Sequence, residues 1–281
     1  MLDRFTSSGA IDLSHVRTRF LESPYPRILG HRGAKGHAPE NTIASFRKGI
    51  ELGATILEMD VHATRDGTVV VSHDDTVDRT TNGTGAIRRM MRSEVAKLDA
   101  GYRWTAEGET FPFRGQDLRI PTLPEVLASF PDTPLNIEIK QAAPPMVDLV
   151  VGLLKEKGCE ARTNLAAESV EIMGDIRASG WAGATSYSMG DVLAFIDALA
   201  NGRLAEYVPP GIALQVPERW GDNAVVTEEF VKGAKKCDVE VHVWTVNDPA
   251  AMDRLFALGV DGLVTDFPER ACAAIAQLKR S

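Results

Sequence analysis

Short β-branched runs recur along this chain, most of them far enough apart to hold one helix between neighbours, and no other feature restricts the fold as strongly. The runs are residues 27–30 (RILG), 55–61 (TILEMDV), 68–72, 135–140 (LNIEIK), 162–167, 183–187, 211–216 (GIALQV), 239–245 and 261–265. Strands that point the same way need a long crossover between them, and a helix fills it, so this alternation predicts parallel βα units. A length of 281 residues suits one α/β chain closed as a TIM-type (β/α)8 barrel. No Pro/Ser tract, low-complexity stretch or short-period repeat marks a boundary, so residues 1–281 read as a single barrel domain. Nine candidate strands compete for eight places, and the one left out belongs to the pair 55–61 and 68–72 or lies near 183–187.

Helix ends are written into the sequence at several points. Asn41 is the expected cap of a helix in which Ile43, Phe46 and Ile50 share one face and which Gly53 stops. Thr122-Leu123-Pro124-Glu125 combines a capping box with an early proline, and Asp248-Pro249 opens a helix that turns Met252, Leu255 and Phe256 inward and ends at Gly259. Between 55–61 and 68–72 there is only Ala63-Thr64-Arg65-Asp66-Gly67, a tight turn rather than a crossover, so those runs fit a hairpin-like pair. An inserted segment of about residues 74–120 follows the third strand and carries Trp104, Phe111 and Phe113. It is either a lid or substrate wall, or a surface excursion packed on itself. Residues of about 1–24 are expected as an N-terminal arm on the outside of the barrel.

Charge limits the partners. With 39 acidic and 31 basic residues the net charge is −8, which repels nucleic acid and anionic membrane surfaces. No nucleic-acid partner is expected, and an anionic substrate requires local positive charge. No apolar run approaches the roughly 20 residues of a transmembrane helix, and the start MLDRFTSSGAIDLS lacks the apolar stretch of a signal peptide, so the expected location is cytoplasmic. Cys159, Cys237 and Cys272 are scattered without metal-ligand spacing and read as unpaired thiols. The sequence carries no signal for oligomeric state.

In parallel α/β folds functional groups gather at the C-terminal ends of strands. That rule selects His31 and Arg32, Glu58 and Asp60, Ser72-His73-Asp74, Glu138 and Lys140, and Asp266. Two residues apart in a strand, Glu58 and Asp60 point the same way, about 6.6 Å apart along the backbone, and Glu138 and Lys140 repeat that relation. Inward carboxylates cost several kcal/mol unless paired or metal-bound. A salt bridge from Lys140 or Arg32 would satisfy one of them; three that converge call for a hard divalent cation, Mg²⁺ or Ca²⁺. His31 and His73 stand directly at strand ends, where one imidazole can take a proton and another give one. His37, His62 and His242 read as bystanders. Arg32 offers a planar fork and Lys140 a point charge for phosphate oxygens, or both serve as counter-ions to the acidic cluster. Gly33 and Gly36 would let backbone N–H groups approach an anion, and Trp244 is either an apolar wall for substrate or a core residue.

The order HRG-(x6)-ENT, EMD, SHDDT-x-DRTTNGTG, PTLPEVL, IEIK, VHVWTVND and DGLVTDFPE closely resembles the glycerophosphodiester phosphodiesterase family, from about Ile28 to Glu269. The resemblance implies a phospholipase C-like (β/α)8 barrel with the loop after SHD as the family's insertion. It implies Glu58, Asp60 and Glu138 as ligands of one divalent cation, His31 and His73 as the acid–base pair, and Arg32 and Lys140 as phosphate contacts. One departure is Asn164-Leu165-Ala166-Ala167-Glu168-Ser169, which lacks the Ser-Phe that often follows the fifth strand in relatives.

The activity so implied is metal-dependent hydrolysis of a small-molecule glycerophosphodiester to glycerol 3-phosphate and an alcohol. The nucleophile is the substrate's own glycerol 2-hydroxyl, through a cyclic phosphate, or a water molecule. In either route His31 is the expected base and His73 the expected acid. The alternatives are a non-enzymatic barrel that binds a phosphodiester, and a Mg²⁺-dependent lyase.

Overall fold

The computed structural model describes residues 20–280. In chain order the elements are β1 (Arg27–Gly30), α1 (Ile43–Glu51), β2 (Ile56–Ala63), β3 (Val69–Val71), α2 (Arg92–Val95), α3 (Leu123–Ser129), β4 (Leu135–Ile139), α4 (Val147–Glu156) and β5 (Thr163–Ala166). They continue as α5 (Val170–Ala178), β6 (Ala184–Thr185), α6 (Met189–Ala200), β7 (Ala213–Pro217), β8 (Arg219–Trp220), β9 (Asn223–Ala224), α7 (Glu228–Lys236), β10 (Glu240–Trp244), α8 (Pro249–Leu258), β11 (Gly262–Thr265) and α9 (Pro268–Leu278).

Eight strands run parallel in the order β6-β5-β4-β2-β1-β11-β10-β7, and a bridge between Ser186 and Ala213 joins the two ends into a ring. The TIM-type barrel expected from the alternation is therefore present. The ninth candidate, β3, pairs antiparallel with β2 (Val61 with Val71, Ala63 with Val69) and stands outside the ring. The run near 183–187 does enter it, as the two-residue strand β6.

Alternation along the strands sorts side chains to the two faces. In β2, Leu57, Met59 and Val61 turn outward into an apolar layer with Phe46, Leu123, Val126 and Val150, whereas Ile56, Glu58, Asp60 and His62 turn inward. A second outer layer joins Leu214, Val241, Val243 and Leu263 to Phe195, Phe230, Met252 and Leu255 of α6, α7 and α8. The arm expected outside the barrel falls mostly on residues beyond those described, but its last part contradicts that expectation. Phe20 is fully buried against Leu29, Ile56, Ala184, Ile212, Ala213 and Val264, so it plugs the barrel floor, where inward apolar side chains need a cover.

Thr122 and Glu125 form the anticipated capping box, Asp248 caps α8, and Gly259 ends it in a left-handed conformation at φ 93°. The cap of α1 is displaced by one residue. Thr42 accepts from Ser45 N, while Asn41 adopts φ 58° and sends its amide to Asp60. The buried face of α1 is Ser45, Phe46 and Gly49, and Ile50 is exposed. Gly49 sets that rotation, because a Cβ there would lie 2.9 Å from the carbonyl oxygen of Gly33.

The segment 74–120 packs on itself. Val77, Ile87, Val95, Ala100 and Ile120 join Val70 in a separate apolar cluster, and Trp104 Nε1 donates to Lys35 O at 3.0 Å, tying the segment to the loop after β1.

Candidate active site

The C-terminal ends of the strands open on a cavity of about 300 Å³. Glu58 and Asp60 from β2 and Glu138 from β4 reach it together, each offering an oxygen within 4.8 Å of the others. Register explains the meeting: Asp60 and Glu138 are direct neighbours across the β2–β4 ladder, and Glu58 lies two residues back on the same face. Burial, with the Asp60 charge adding to it, raises the Glu58 carboxyl well above its ordinary range; burial likewise raises that of Glu138 against the pull of Lys140. Carboxyls so placed gain from a divalent cation, and an all-oxygen, all-carboxylate donor set of this size fits a hard ion such as Mg²⁺ or Ca²⁺.

Cationic side chains surround the cluster. Lys140 Nζ lies 2.8 Å from Glu138 Oε1 and 3.4 Å from Asp60 Oδ1. The Arg32 backbone N–H donates to Glu58 Oε2 at 2.8 Å, its Nη1 donates to Glu40 Oε1 at 2.8 Å, and its Nε lies 3.3 Å from Asp60 Oδ2 in an ion pair without hydrogen-bond geometry. The loop that holds Arg32 is bent at two left-handed residues, Arg32 (φ 50°) and Asn41 (φ 58°), joined by Asn41 N to Arg32 O at 3.0 Å. Strained non-glycine residues of this kind persist only where surroundings fix them. Ser45 Oγ does so by donating to Arg32 O and accepting from Ala34 N, both at 2.9 Å. The expected anion-binding role of Gly33 and Gly36 does not hold, since their N–H groups go to the carbonyls of Gly30 and Asp266. These glycines serve packing instead: a Cβ on Gly33 would sit 2.4 Å from the Ser45 carbonyl carbon, and one on Gly36 2.3 Å from the Phe267 ring.

Both strand-end histidines line the cavity, and each is held by a carboxylate through Nδ1. His31 meets Asp266 at 2.6 Å, and Asp266 is held in turn by Asn247 Nδ2 at 2.8 Å. Burial lowers the His31 pKa, outweighing the contrary influence of Asp266. Although burial alone would raise Asp266, the bond from His31 keeps it below the ordinary carboxylate range. An ionised carboxylate only accepts, so the Nδ1 of His31 carries the hydrogen and Nε2 keeps its lone pair. His73 meets Asp74 Oδ1 at 2.8 Å and is the more exposed, at 34% against 12%.

The remaining walls are mixed, with Glu168, Ser188, Gln215 and Thr245 beside apolar side chains. Trp244, 43% exposed at the end of β10, lines the cavity as a wall residue rather than a core one, together with Met189, Val192, Pro217 and Trp220. Trp220 belongs to the small β8–β9 hairpin, which the sequence reading missed. Three histidines stay out of the cavity lining. His62 meets the His73 carbonyl at 3.1 Å, His37 meets Glu269 at 3.0 Å, and His242 is buried against Glu240 at 2.8 Å. Beneath the carboxylates Asn164 donates to Asn136 and Ser186, and Gln215 donates to Asn136, a polar layer across the barrel.

Two charged residues lie outside the strand ends that the sequence points to: Glu40, which accepts from Arg32, and Arg79, which donates to both Glu40 and Asp74. Their signal was charge inside short motifs away from strand ends. Asp266 had been placed at its strand end, with no indication that it would hold His31.

The sequence matches the Glycerophosphoryl diester phosphodiesterase family over residues 31–270. A glycerophosphodiester phosphodiesterase of Caldanaerobacter subterraneus subsp. tengcongensis is 36% identical over 253 residues, covering 86% of this chain and 94% of that one. The crystal structure of a glycerophosphodiester phosphodiesterase from Agrobacterium tumefaciens superposes with a TM-score of 0.71 at 26% identity, over 88% of this chain and 99% of that one. An Oleispira antarctica phosphodiesterase, solved in complex with the product sn-glycerol-3-phosphate, shares the fold at a TM-score of 0.74 and 24% identity, over 92% and 98% of the two chains. Barrel, carboxylate cluster and sequence agree, and the chain belongs to the glycerophosphoryl diester phosphodiesterase family.

Proposed function

We propose that the chain hydrolyses small glycerophosphodiesters to glycerol 3-phosphate and an alcohol with the help of one divalent cation, Mg²⁺ or Ca²⁺, held by Glu58, Asp60 and Glu138. The observation that carries this reading is the convergence of those three carboxylates within 4.8 Å, in one cavity with His31 and His73. When bound, the ion supplies charge for the non-bridging phosphate oxygens. Arg32 and Lys140, whose guanidinium and ammonium stay charged beside Asp60 and Glu138, add to that charge and orient the diester. Trp244 offers a flat apolar face to the substrate's carbon skeleton.

His31 is the general base. Burial keeps its ring neutral, Asp266 occupies Nδ1, and Nε2 is the nitrogen left to accept the proton of the attacking hydroxyl, whether glycerol 2-hydroxyl or water. His73 is the acid, delivering a proton to the departing alcohol while Asp74 holds its other nitrogen. The Oleispira antarctica phosphodiesterase, solved with sn-glycerol-3-phosphate as its product, supports the same bond being cleaved here.

Release of choline from glycerophosphocholine tests the reading. His31→Ala and His73→Ala are each expected to lose at least ~100-fold in turnover, and a chelator is expected to abolish activity that Mg²⁺ or Ca²⁺ restores. Near wild-type turnover in either variant removes that histidine from the chemistry.

A further inference from the structure

His73 and Arg32 are held by different carboxylates, and one guanidinium holds both of those carboxylates. Arg79 lies six residues beyond His73, on the segment that follows β3, and it does not line the cavity. Its Nε donates to Asp74 Oδ2 at 2.7 Å and its Nη2 to Asp74 Oδ1 at 3.1 Å. Its Nη1 donates to Glu40 Oε2 at 2.8 Å and its Nη2 to Glu40 Oε1 at 2.7 Å. Asp74 Oδ1 is the atom that meets His73 Nδ1, and Glu40 Oε1 is the atom that accepts from Arg32 Nη1. The path from His73 through Asp74, Arg79 and Glu40 to Arg32 is unbroken.

We propose that Arg79 is a positioning residue for the hydrolysis, fixing the ring of His73 and the fork of Arg32 together without touching substrate. The proposal rests on the roles assigned above to His73 and Arg32. A single contact leaves a carboxylate free to rotate about its last bond, whereas a two-pronged contact fixes its plane. Arg79 makes such a contact with both partners, which a lysine cannot do. Its second effect is electrostatic. Burial alone would raise both acids, yet the hydrogen bonds from Arg79, with those from His73 and Arg32, hold Asp74 and Glu40 down to about 2. Ionised Asp74 can only accept, so His73 turns an N–H toward it from Nδ1 and presents Nε2 to the cavity.

Arg79 is itself half-exposed and lies outside the apolar core, so Arg79→Ala is expected to fold, with melting temperature as the check. Its kcat for glycerophosphocholine is expected to fall on the order of 10-fold to 100-fold, because small misplacements of reacting groups cost that much. Arg79→Lys, which keeps the charge and can meet only one carboxylate in full, is expected to retain an intermediate rate. Because Arg79 acts partly through Asp74, the loss in Arg79→Ala/Asp74→Asn is expected to fall short of the product of the two single losses. A kcat of Arg79→Ala within twofold of wild type, or single losses that multiply in full, overturns the proposal; if Arg79→Ala does not fold, Arg79→Lys is held to the same two criteria. His73→Ala run in parallel separates the two layers of the argument. Full turnover in that variant defeats the acid assignment, whereas the coupling between Arg79 and Asp74 tests Arg79 itself.

Discussion

Asp266 has the most specific task among the individual side chains around the cavity, since it sets which nitrogen of His31 carries hydrogen. Asp266→Asn would present an amide that donates as readily as it accepts, allowing the ring to place its hydrogen on Nε2 and lose the lone pair that takes the proton. Turnover is expected to fall on the order of 100-fold or more, with little change in melting temperature. The pH dependence has a definite sign. Burial lowers the His31 pKa, so the ring stays neutral below the ordinary value of 6.5, and the acidic limb of kcat/KM is expected below that pH. Asp266 acts to raise that pKa, so residual activity of Asp266→Asn is expected to show a limb moved further toward acid. A limb above pH 6.5 in the wild type would contradict the burial argument.

Elements were legible where one local cause decides them. The capping box at Thr122, the cap at Asp248 and the left-handed stop at Gly259 depend on neighbours in sequence and were read directly. The cap of α1 was misread because the Asn41 side chain is drawn to Asp60, nineteen residues away, leaving Thr42 to close the helix. The run 68–72 was legible for a local reason too: the five-residue turn before it makes it an antiparallel partner of β2 rather than a barrel strand. The loop between β1 and α1 gives the prediction at this scale. Gly33, at φ 95° and pressed on Ser45, has no room for a methyl group, so Gly33→Ala is expected to cost about 1–3 kcal/mol in chemical denaturation. Because Arg32 is the preceding residue, catalytic loss is expected to accompany it; an unchanged denaturation midpoint would show that the loop is not constrained as described.

At the scale of the molecule the barrel separates two tasks. Its upper end gathers the carboxylates and histidines, and that gathering was readable because strand ends and a period of two place Glu58, Asp60 and Glu138 on inward positions. Glu40 and Arg79 were not readable, because their partners are brought together only by the packing of the segment after β3 onto the loop after β1. The lower end is structural. There Arg27 donates to both oxygens of Glu240 at 2.6 and 2.7 Å, and Glu240 also meets the buried His242. Although burial would raise it, Glu240 is held down to about 2 by Arg27 and His242. A carboxylate lowered by folding stabilises the native state fully above its unfolded value of 4.5 and loses that contribution as pH falls through its folded value of about 2. The stake is on the order of 3 kcal/mol. Glu240→Gln is expected to be less stable at neutral pH and to show a flatter dependence between those limits. Parallel stability curves for variant and wild type would remove this cluster from acid unfolding.

Calorimetric titration of the metal-free protein with Mg²⁺ and with Ca²⁺ bears most directly on the meeting of Glu58, Asp60 and Glu138 around one ion. The expected result is one site per chain for at least one of the ions, weakened at least ~10-fold in both Glu58→Gln and Glu138→Gln. Wild-type affinity in those two variants, or no stoichiometric site in the wild type, would contradict it.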